Sequence, residues 1–385
     1  MEVNTSLLQK LKNQFTEEFG GESSVVFSPG RINLLGEHID YNDGYVLPAA
    51  ISLGIYACFA PVEGRTIEII ASDFNNKVTI DADNIGPEKG WQNYVLSVLN
   101  QFKKRCIHIP AFRMVMGSDL PIGSGLSSSA ALEGAISFVV NHLSGSGLNA
   151  KELALLGQAA EHDYPGVKCG IMDQFANMLG KESHIVRIDC MTTKTDYLPL
   201  DLNDYELVLV YSNVQHALTG GEYNQRREQC NEGLAHLKAK TGKTSFREIT
   251  HEELDAVKAD LTPVVFDRCT YVVEEIERTH LAADALQAGD IPEIGILMFQ
   301  THWGLSNLYE VSLPELDWLV NFAEDFEGVL GARLMGGGFG GCTLNLVAKE
   351  KVADFSGAVV TGYKEKFGIE AKLYPVKASD GTRLI

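Results

Sequence analysis

The sequence predicts an α+β protein of two domains, in which helices pack on antiparallel sheets. Segments rich in β-branched and aromatic residues predict strands at both ends of the chain: 24–27, 46–59, 66–71, 206–211, 342–348 and 371–376. Between them, apolar residues recur at helical spacing from Leu132 onward and again beyond residue 195. The change of pattern near residue 195 predicts domains of residues 1–195 and 196–385.

Charge limits the class of partner. The 385 residues include 32 lysines and arginines against 51 aspartates and glutamates, a formal net charge of −19. Such a chain repels nucleic acids and anionic membrane surfaces, so we expect small-molecule partners. If the partner is itself a polyanion, the chain needs a local device to hold it, either a metal ion or a nest of backbone N–H groups.

Cysteine usage and hydropathy indicate a cytoplasmic protein, which we also expect to be a monomer. The seven cysteines are scattered and contain no C-x-x-C pair, as in proteins whose thiols stay reduced. Residues 45–62 carry no charge and imitate a membrane span, but Pro48, Gly54 and Pro61 favour two buried strands over a helix. No signal-peptide core occurs at the N-terminus.

Two glycine-containing motifs are false leads. Gly242-Lys243-Thr244 ends like a P-loop, but Leu237 stands where that motif requires glycine. A G-x-G-x-x-G pattern within residues 334–343 precedes a strand, whereas the dinucleotide fingerprint must open a helix. The glycines there indicate close backbone approach to a ligand or a neighbouring loop, and a simple strand turn stays possible.

Residues 121–130, PIGSGLSSSA, lead directly into the helix that contains Leu132. Glycines allow the backbone to approach an anion, and the start of a helix exposes unpaired N–H groups, so the segment predicts a phosphate site. Serine hydroxyls add donors and one candidate metal ligand. The alternative is an ordinary serine-capped helix, although three serines behind two glycines exceed what a cap requires.

Residues 30–48, GRINLLGEHIDYNDGYVLP, concentrate polar side chains after a predicted strand: Arg31, Glu37, His38, Asp40 and Asp43. Such a loop suits recognition of sugar hydroxyls, which alternate donors and acceptors. Taken alone, it is also compatible with a solvated acidic loop or with a metal site that uses His38 and Asp40.

Three segments together resemble the GHMP kinases, and among them the galactokinase family. Residues 121–130 resemble the loop P-G-x-G-L-S-S-S-A, and residues 30–48 resemble G-R-x-N-x-x-G-E-H-x-D-Y-N-D-G at almost every position. The third, LMGGGFGGCT at 334–343, is similar to the last motif of that family. The resemblance implies a two-lobed fold, with an N-terminal domain like ribosomal protein S5, a ferredoxin-like C-terminal domain and an active site between them.

The resemblance also implies a reaction, the transfer of the γ-phosphate of ATP to the C1 hydroxyl of galactose with Mg²⁺ as cofactor. Asp173 would be the catalytic aspartate, and we expect Arg31 to pair with it. The implied sugar ligands are Glu37, His38, Ile39, Asp40, Asp43, Gly170 and Tyr223. The implied nucleotide ligands are Ser72, Gly123, Ser124, Gly125, Leu126, Ser127, Ser128 and Ser129, with Trp91 near the adenine. Ser129 and Glu161 would hold the metal.

Three other functions stay open at this stage. Kinases of the same superfamily act on N-acetylgalactosamine or arabinose, although Asn42-Asp43-Gly44 resembles the galactose enzymes. Some galactokinase-like proteins are sensors without activity, but Asp173 and the serines of residues 127–130 argue against that role. A metal-dependent hydrolase using His38 lacks a second histidine at ligand spacing.

Overall fold

The computed structural model describes residues 3–121, 123–215 and 221–385 and has the expected α+β architecture. The helices are α1 (Thr5–Phe19), α2 (Gln92–Lys104), α3 (Ser128–Ser144), α4 (Ala150–Asp163), α5 (Met172–Leu179), α6 (Gly221–Thr241), α7 (His251–Asp255), α8 (Pro263–Ala288), α9 (Ile291–Asn307), α10 (Pro314–Glu324) and α11 (Val352–Phe367). The strands are β1 (Ser24–Asn33), β2 (Tyr45–Val46), β3 (Pro48–Pro61), β4 (Thr66–Ala71), β5 (Asn76–Asp81), β6 (Phe112–Ser118), β7 (His184–Asp189), β8 (Lys194–Pro199), β9 (Tyr205–Gln215), β10 (Val329–Leu334), β11 (Gly340–Ala348), β12 (Lys372–Val376) and β13 (Arg383–Leu384).

The N-terminal lobe is built on a six-stranded sheet in the order β13-β1-β3-β6-β4-β5. Its pairs are antiparallel except β4 with β6. Helices α3 and α5 pack on one face and α1 on the other, so β1 is buried along almost its whole length. A register shift between Pro29 and Arg31 bends β1 just before it delivers Arg31 to the site.

The uncharged stretch at residues 45–62 forms strands, as its prolines and glycine predicted. It contains the short β2 and the long, mostly buried β3 at the centre of the sheet. Strand β2 belongs to a separate three-stranded sheet, β2-β7-β8. Among the helices of the described residues, none combines the length and the apolar character that crossing a bilayer requires.

The C-terminal lobe has a four-stranded antiparallel sheet in the order β10-β11-β9-β12. Along the chain, helices α6 to α10 separate β9 from β10, and α11 separates β11 from β12. This is a β-α-β-β-α-β sequence with the strand order of a ferredoxin-like domain, as expected. The turn between β10 and β11, residues 335–339, faces the N-terminal lobe and is called the glycine turn below.

Residues 377–385 return to the N-terminal lobe, which the single division at residue 195 did not anticipate. Ser379 N donates to Ala50 O at 2.8 Å and Thr382 N to Asn177 O at 2.9 Å. Strand β13 then pairs with β1. The position of the predicted boundary also lies inside strand β8.

One helix lies unusually close to the C-terminal sheet. A Cβ added at Gly295 in α9 would lie 2.2 Å from the carbonyl oxygen of Leu330, and one at Gly331 would lie 2.5 Å from Gly295 Cα. Two facing glycines therefore allow α9 to rest directly on β10.

We expect Gly295→Ala to lower the free energy of unfolding by about 1–3 kcal/mol, because the added methyl group forces the helix away from the strand. The matched control is Gly357→Ala in α11, where the added Cβ meets nothing within 4 Å. That change should be neutral or stabilise by up to about 1 kcal/mol. Urea unfolding of the two variants measures the difference, and equal shifts for both would contradict the packing described here.

Candidate active site

The segment before α3, residues 121–127, is called the serine-rich loop below, and it ends where the helix begins at Ser128. Ser127 occupies the position before the helix in the left-handed region, with φ 58°, and its side chain makes no capping bond. The first bond of the helix runs from Ala131 N to Ser127 O at 3.0 Å, so the N–H groups of Ser128 and Ser129 precede it and are free for an anion. Ile122, within this segment, lies outside the described residues.

Arg31 and Asp173 form the expected pair. Arg31 Nε donates to Asp173 Oδ1 at 2.9 Å, and its Nη1 donates to the carbonyl of Gly125 in the serine-rich loop. Ser127 Oγ donates to the other oxygen, Asp173 Oδ2. Arg31 is buried, whereas Asp173 keeps 26% of its side chain exposed. Both carboxylate oxygens are therefore oriented, and the group still faces open space.

A small cavity of about 60 Å³ lies on the side of this pair that faces residues 30–48, called the sugar loop below. It is lined by Arg31, Glu37, His38, Asp40, Cys169, Gly170, Met172, Asp173, Tyr223, Gly336 and Gly337. The structure thus brings together most of the predicted sugar ligands. Gly170 has no room for a side chain, since a Cβ there would lie 2.0 Å from Asp40 Oδ2.

Ile39, Asp43 and Ser72 are among the predicted ligands that do not line a cavity of the site. Ile39 is completely buried in the hydrophobic core, and Asp43 follows the short 3₁₀ helix Asp40–Asn42 with a φ of 60°. Neither side chain lines the cavity. Ser72 begins another 3₁₀ turn, Ser72–Phe74. Its neighbours Ala71 and Asp73 line a larger cavity beside Ser128 and Ser129, but Ser72 does not.

Burial raises the pKa values of two carboxylates that line the small cavity. Burial, and then the nearby charge of Asp173, raises the pKa of Asp40 to about 6, although Met172 N and Tyr41 N donate to it. Burial also raises the pKa of Glu37 to about 7, against the opposing charges of Arg333 and Arg31. These two carboxylates are hydrogen-bond acceptors whose ionisation is costly.

The glycine turn closes the cavity from the C-terminal lobe, as predicted. Gly336 N donates to Glu37 Oε1 at 3.1 Å. A Cβ added at Gly336 would lie 2.8 Å from the carbonyl oxygen of Gly125, so the turn also lies against the serine-rich loop. Only glycine allows this close approach of two backbones.

Oxygen donors suitable for a divalent cation lie on the other side of Asp173. Glu161 is buried, and it accepts hydrogen bonds from the Ser129 hydroxyl and from Gln174 Nε2, the latter at 2.7 Å. Burial, and then the charge of Asp173, raises the pKa of Glu161 to about 7. Glu133 Oε1 nearby is buried without a hydrogen-bond partner. A carboxylate and a hydroxyl are oxygen ligands of the kind that Mg²⁺ binds.

A larger cavity, about 410 Å³, opens beside Ser128 and Ser129. Its walls are largely apolar and include Trp91, Tyr94 and Leu132. Trp91, which was predicted to lie near the adenine, is one of the residues that line this cavity. An apolar slot that leads to a helix N-terminus suits a flat base attached to a chain of phosphates.

Two residues that no motif indicated reach the site from distant parts of the chain. Arg333, which is fully buried, pairs with Glu37 and also donates to Asn33 O at 3.0 Å. Glu275 Oε1 accepts from Gly36 N at 2.7 Å. A single arginine within the apolar segment before the glycine turn was the available signal, because a buried charge requires a partner.

Comparison with protein families gives three matches. Residues 13–61 match the galactokinase galactose-binding signature. Residues 93–181 match the GHMP kinase N-terminal domain, and residues 282–359 match the GHMP kinase C-terminal domain. The matched regions contain the sugar loop, the serine-rich loop with Asp173, and the glycine turn.

Similar proteins and structures agree with these matches. The chain is 40% identical to a galactokinase of Thermotoga maritima over 94% of this chain and 99% of that protein. It is 38% identical to a galactokinase of Clostridium beijerinckii over 97% and 98%. The crystal structure of Lactococcus lactis galactokinase complexed with galactose has a TM-score of 0.95 at 36% identity, covering 98% of this chain and 100% of that one.

More distant structures share the fold alone. A crystal structure of mevalonate kinase matches with a TM-score of 0.64 at 20% identity, over 92% of this chain and 99% of the other. The two-lobed α+β architecture is therefore that of the GHMP kinases. With relatives at 40% identity along nearly its whole length and matches to all three regions, the chain belongs to the galactokinase family.

Proposed function

We propose that this protein is a galactokinase, which transfers the γ-phosphoryl group of ATP to the C1 hydroxyl of α-D-galactose. The observation that carries the assignment is the position of the Arg31–Asp173 pair, between the sugar-side cavity and the serine-rich helix start. A carboxylate there can meet an alcohol on one side while phosphates lie on the other.

On the sugar side, the ligands are acceptors at fixed positions. Glu37 and Asp40 present carboxylate oxygens, Gly170 contributes backbone and Tyr223 lies over His38, with ring centroids 5.3 Å apart. A site built from buried acceptors rejects a sugar whose hydroxyls point elsewhere, because its own groups are then left unpaired.

Asp173 orients the attacking hydroxyl and accepts its proton. Arg31 and Ser127 each hold one of its oxygens in place, and so alignment of the nucleophile is the larger part of its role. The Arg31 guanidinium also contacts the Gly125 carbonyl, so its positive charge lies beside the loop where phosphate charge accumulates.

On the nucleotide side, the N–H groups at the start of α3 hold the phosphates, and the apolar cavity holds the base. Mg²⁺ fits the donors Ser129 and Glu161, and when bound it neutralises phosphate charge. We also propose that the protein works as a monomer in the cytoplasm. Its seven cysteines are all free thiols, in keeping with a reducing compartment.

We expect Asp173→Asn to lower kcat for galactose by at least about 10²-fold, since the amide can neither accept the proton nor pair with Arg31. ATP affinity should stay within about twofold, because the phosphate contacts lie elsewhere. Coupled ADP release and ATP titration calorimetry measure the two quantities.

The matched control for that substitution is Asp354→Asn, which changes an exposed aspartate in the first turn of α11. Assays with galactose, arabinose and N-acetylgalactosamine separate the sugar kinases, and wild-type protein that binds galactose and ATP without ADP release would be a sensor. Unchanged turnover in Asp173→Asn would remove this carboxylate from the mechanism.

Asp40 should make the ligand-free protein less stable as pH rises. The pKa of Asp40 is 3.8 in the unfolded chain, its ordinary value, and about 6 in the folded chain. Between these two pH values the folded chain therefore holds more protons than the unfolded chain. The free energy of unfolding therefore falls across this window, by at most about 3 kcal/mol. Relative to wild type, Asp40→Asn should gain stability from pH 4 to pH 7 in urea unfolding.

Glu68→Gln is a control for which the change in stability with pH should run in the opposite direction. Hydrogen bonds from Lys77 and Arg113 hold the pKa of Glu68 below its usual value, so the native glutamate stabilises the fold only once it ionises. That variant should lose stability relative to wild type as pH rises toward and past 4.5, the ordinary pKa of the group. A difference between Asp40→Asn and wild type that does not vary with pH would refute the assignment of a costly buried carboxylate.

A further inference from the structure

His38 lies in the wall of the sugar-side cavity, yet both of its ring nitrogens are used within the protein. Nδ1 is 2.7 Å from the Tyr41 hydroxyl, and Nε2 is 3.2 Å from the carbonyl oxygen of Gly337 in the glycine turn. The backbone of His38 is in the left-handed region, with φ 62°, and Asn42 Nδ2 donates to its carbonyl at 2.8 Å. Such a conformation persists only where surrounding contacts hold it.

The protons that His38 and its partners carry determine which group donates in each of these hydrogen bonds. A carbonyl oxygen can only accept, so Nε2 of His38 carries a proton and donates to Gly337. Burial lowers the pKa of His38 to about 3, so the ring is neutral and its Nδ1 must accept from Tyr41.

The chain of hydrogen bonds continues from Tyr41 into the C-terminal lobe. The Tyr41 hydroxyl is 2.9 Å from that of Tyr309, and the Tyr309 hydroxyl is 3.2 Å from Cys230 Sγ. Tyr41 gives its only proton to His38, so Tyr309 must donate to Tyr41. Tyr309 then has no proton left, and the Cys230 thiol is the donor to Tyr309. Tyr309 and Cys230 are both fully buried, which excludes water as an alternative partner.

We propose that Cys230, Tyr309 and Tyr41 form a one-way hydrogen-bond relay that fixes His38 as the Nε2–H tautomer and makes it a clasp between the sugar loop and the glycine turn. These three are positioning residues, and His38 is itself a positioning residue, because neither of its nitrogens is left for a sugar hydroxyl. The consequence for galactose affinity rests on the proposed function, whereas the tautomer does not.

The clasp acts on the groups that surround the sugar. His38 stands between Glu37 and Asp40 in the chain, and the Gly337 carbonyl that it holds is adjacent to Gly336, which donates to Glu37. With the opposite tautomer, the lone pair of Nε2 would face the lone pairs of the Gly337 oxygen, and two buried acceptors would be unpaired. The Nε2–H tautomer therefore keeps the glycine turn hydrogen-bonded to the loop that contains Glu37 and Asp40.

Nitrogen-15 NMR of histidine-labelled protein tests the relay directly, with the His38 signals assigned by their absence in His38→Gln. We expect protonated Nε2 and unprotonated Nδ1 in wild type, unchanged between pH 8 and pH 5. Tyr41→Phe removes the donor to Nδ1 and should move that resonance toward the value of a free imidazole nitrogen. Tyr309→Phe should cause a smaller shift in the same direction, since Tyr41 keeps its own proton.

Kinetics test the consequence for the sugar. Tyr41→Phe should raise the KM for galactose about tenfold, the scale of one buried hydrogen bond, with kcat within about twofold. Tyr309→Phe should raise it less. The matched control is Tyr56→Phe, which removes another buried hydroxyl, one that accepts from Asn4 N at 3.0 Å beneath α1. This control should lower stability without altering the KM for galactose.

Several outcomes would overturn the relay. These are a protonated Nδ1 on His38, a His38 spectrum unaffected by Tyr41→Phe, and a Tyr41→Phe variant in which kcat falls while the KM for galactose is unchanged. If the wild-type protein does not phosphorylate galactose, the proposed function fails, and the NMR experiment still decides the tautomer.

Discussion

The buried carboxylate of Glu37 is the constraint around which the site is organised. It follows the end of β1 in the N-terminal lobe, and it accepts hydrogen bonds from Asn33 Nδ2 and from Gly336 N of the C-terminal lobe. Arg333, fully buried on β10, supplies the compensating charge. A buried charge without its partner is strongly unfavourable, so the two lobes can meet in only a narrow range of arrangements. The distance across the cleft follows from this contact.

A chain with a net charge of −19 binds a nucleotide polyanion by local means. The groups proposed for this task, the N–H groups at the start of α3 and the Arg31 guanidinium, are concentrated around one loop. The glycines of this loop leave its backbone accessible for the phosphate contacts proposed above, and Met335 and Gly336 pack directly against Gly125. Lysine is absent from the segment, and backbone dipoles replace it.

Much of this arrangement could be predicted from the sequence, because motifs report groups that act locally. The helix after the serines, the strands at residues 45–62 and the Arg31–Asp173 contact were all expected. The orientation of Ser127 was not, since its left-handed backbone turns the hydroxyl toward Asp173 and away from the helix that it precedes. The resemblance implied Ile39 as a sugar ligand, yet its side chain lies in the core just before a 3₁₀ turn. Arg333 and Tyr309 could not be found from spacing, because they reach the site from about 270 to 300 residues away along the chain.

The return of residues 377–385 to the N-terminal lobe has a consequence for how the protein is made. Strand β13 pairs with β1, the strand that delivers Arg31, and Ser379 and Thr382 bond to residues of the same lobe. During synthesis these residues leave the ribosome only after the whole ferredoxin-like domain has emerged. The edge of the first sheet therefore stays uncovered for most of translation, and the catalytic lobe, although begun first, is completed last.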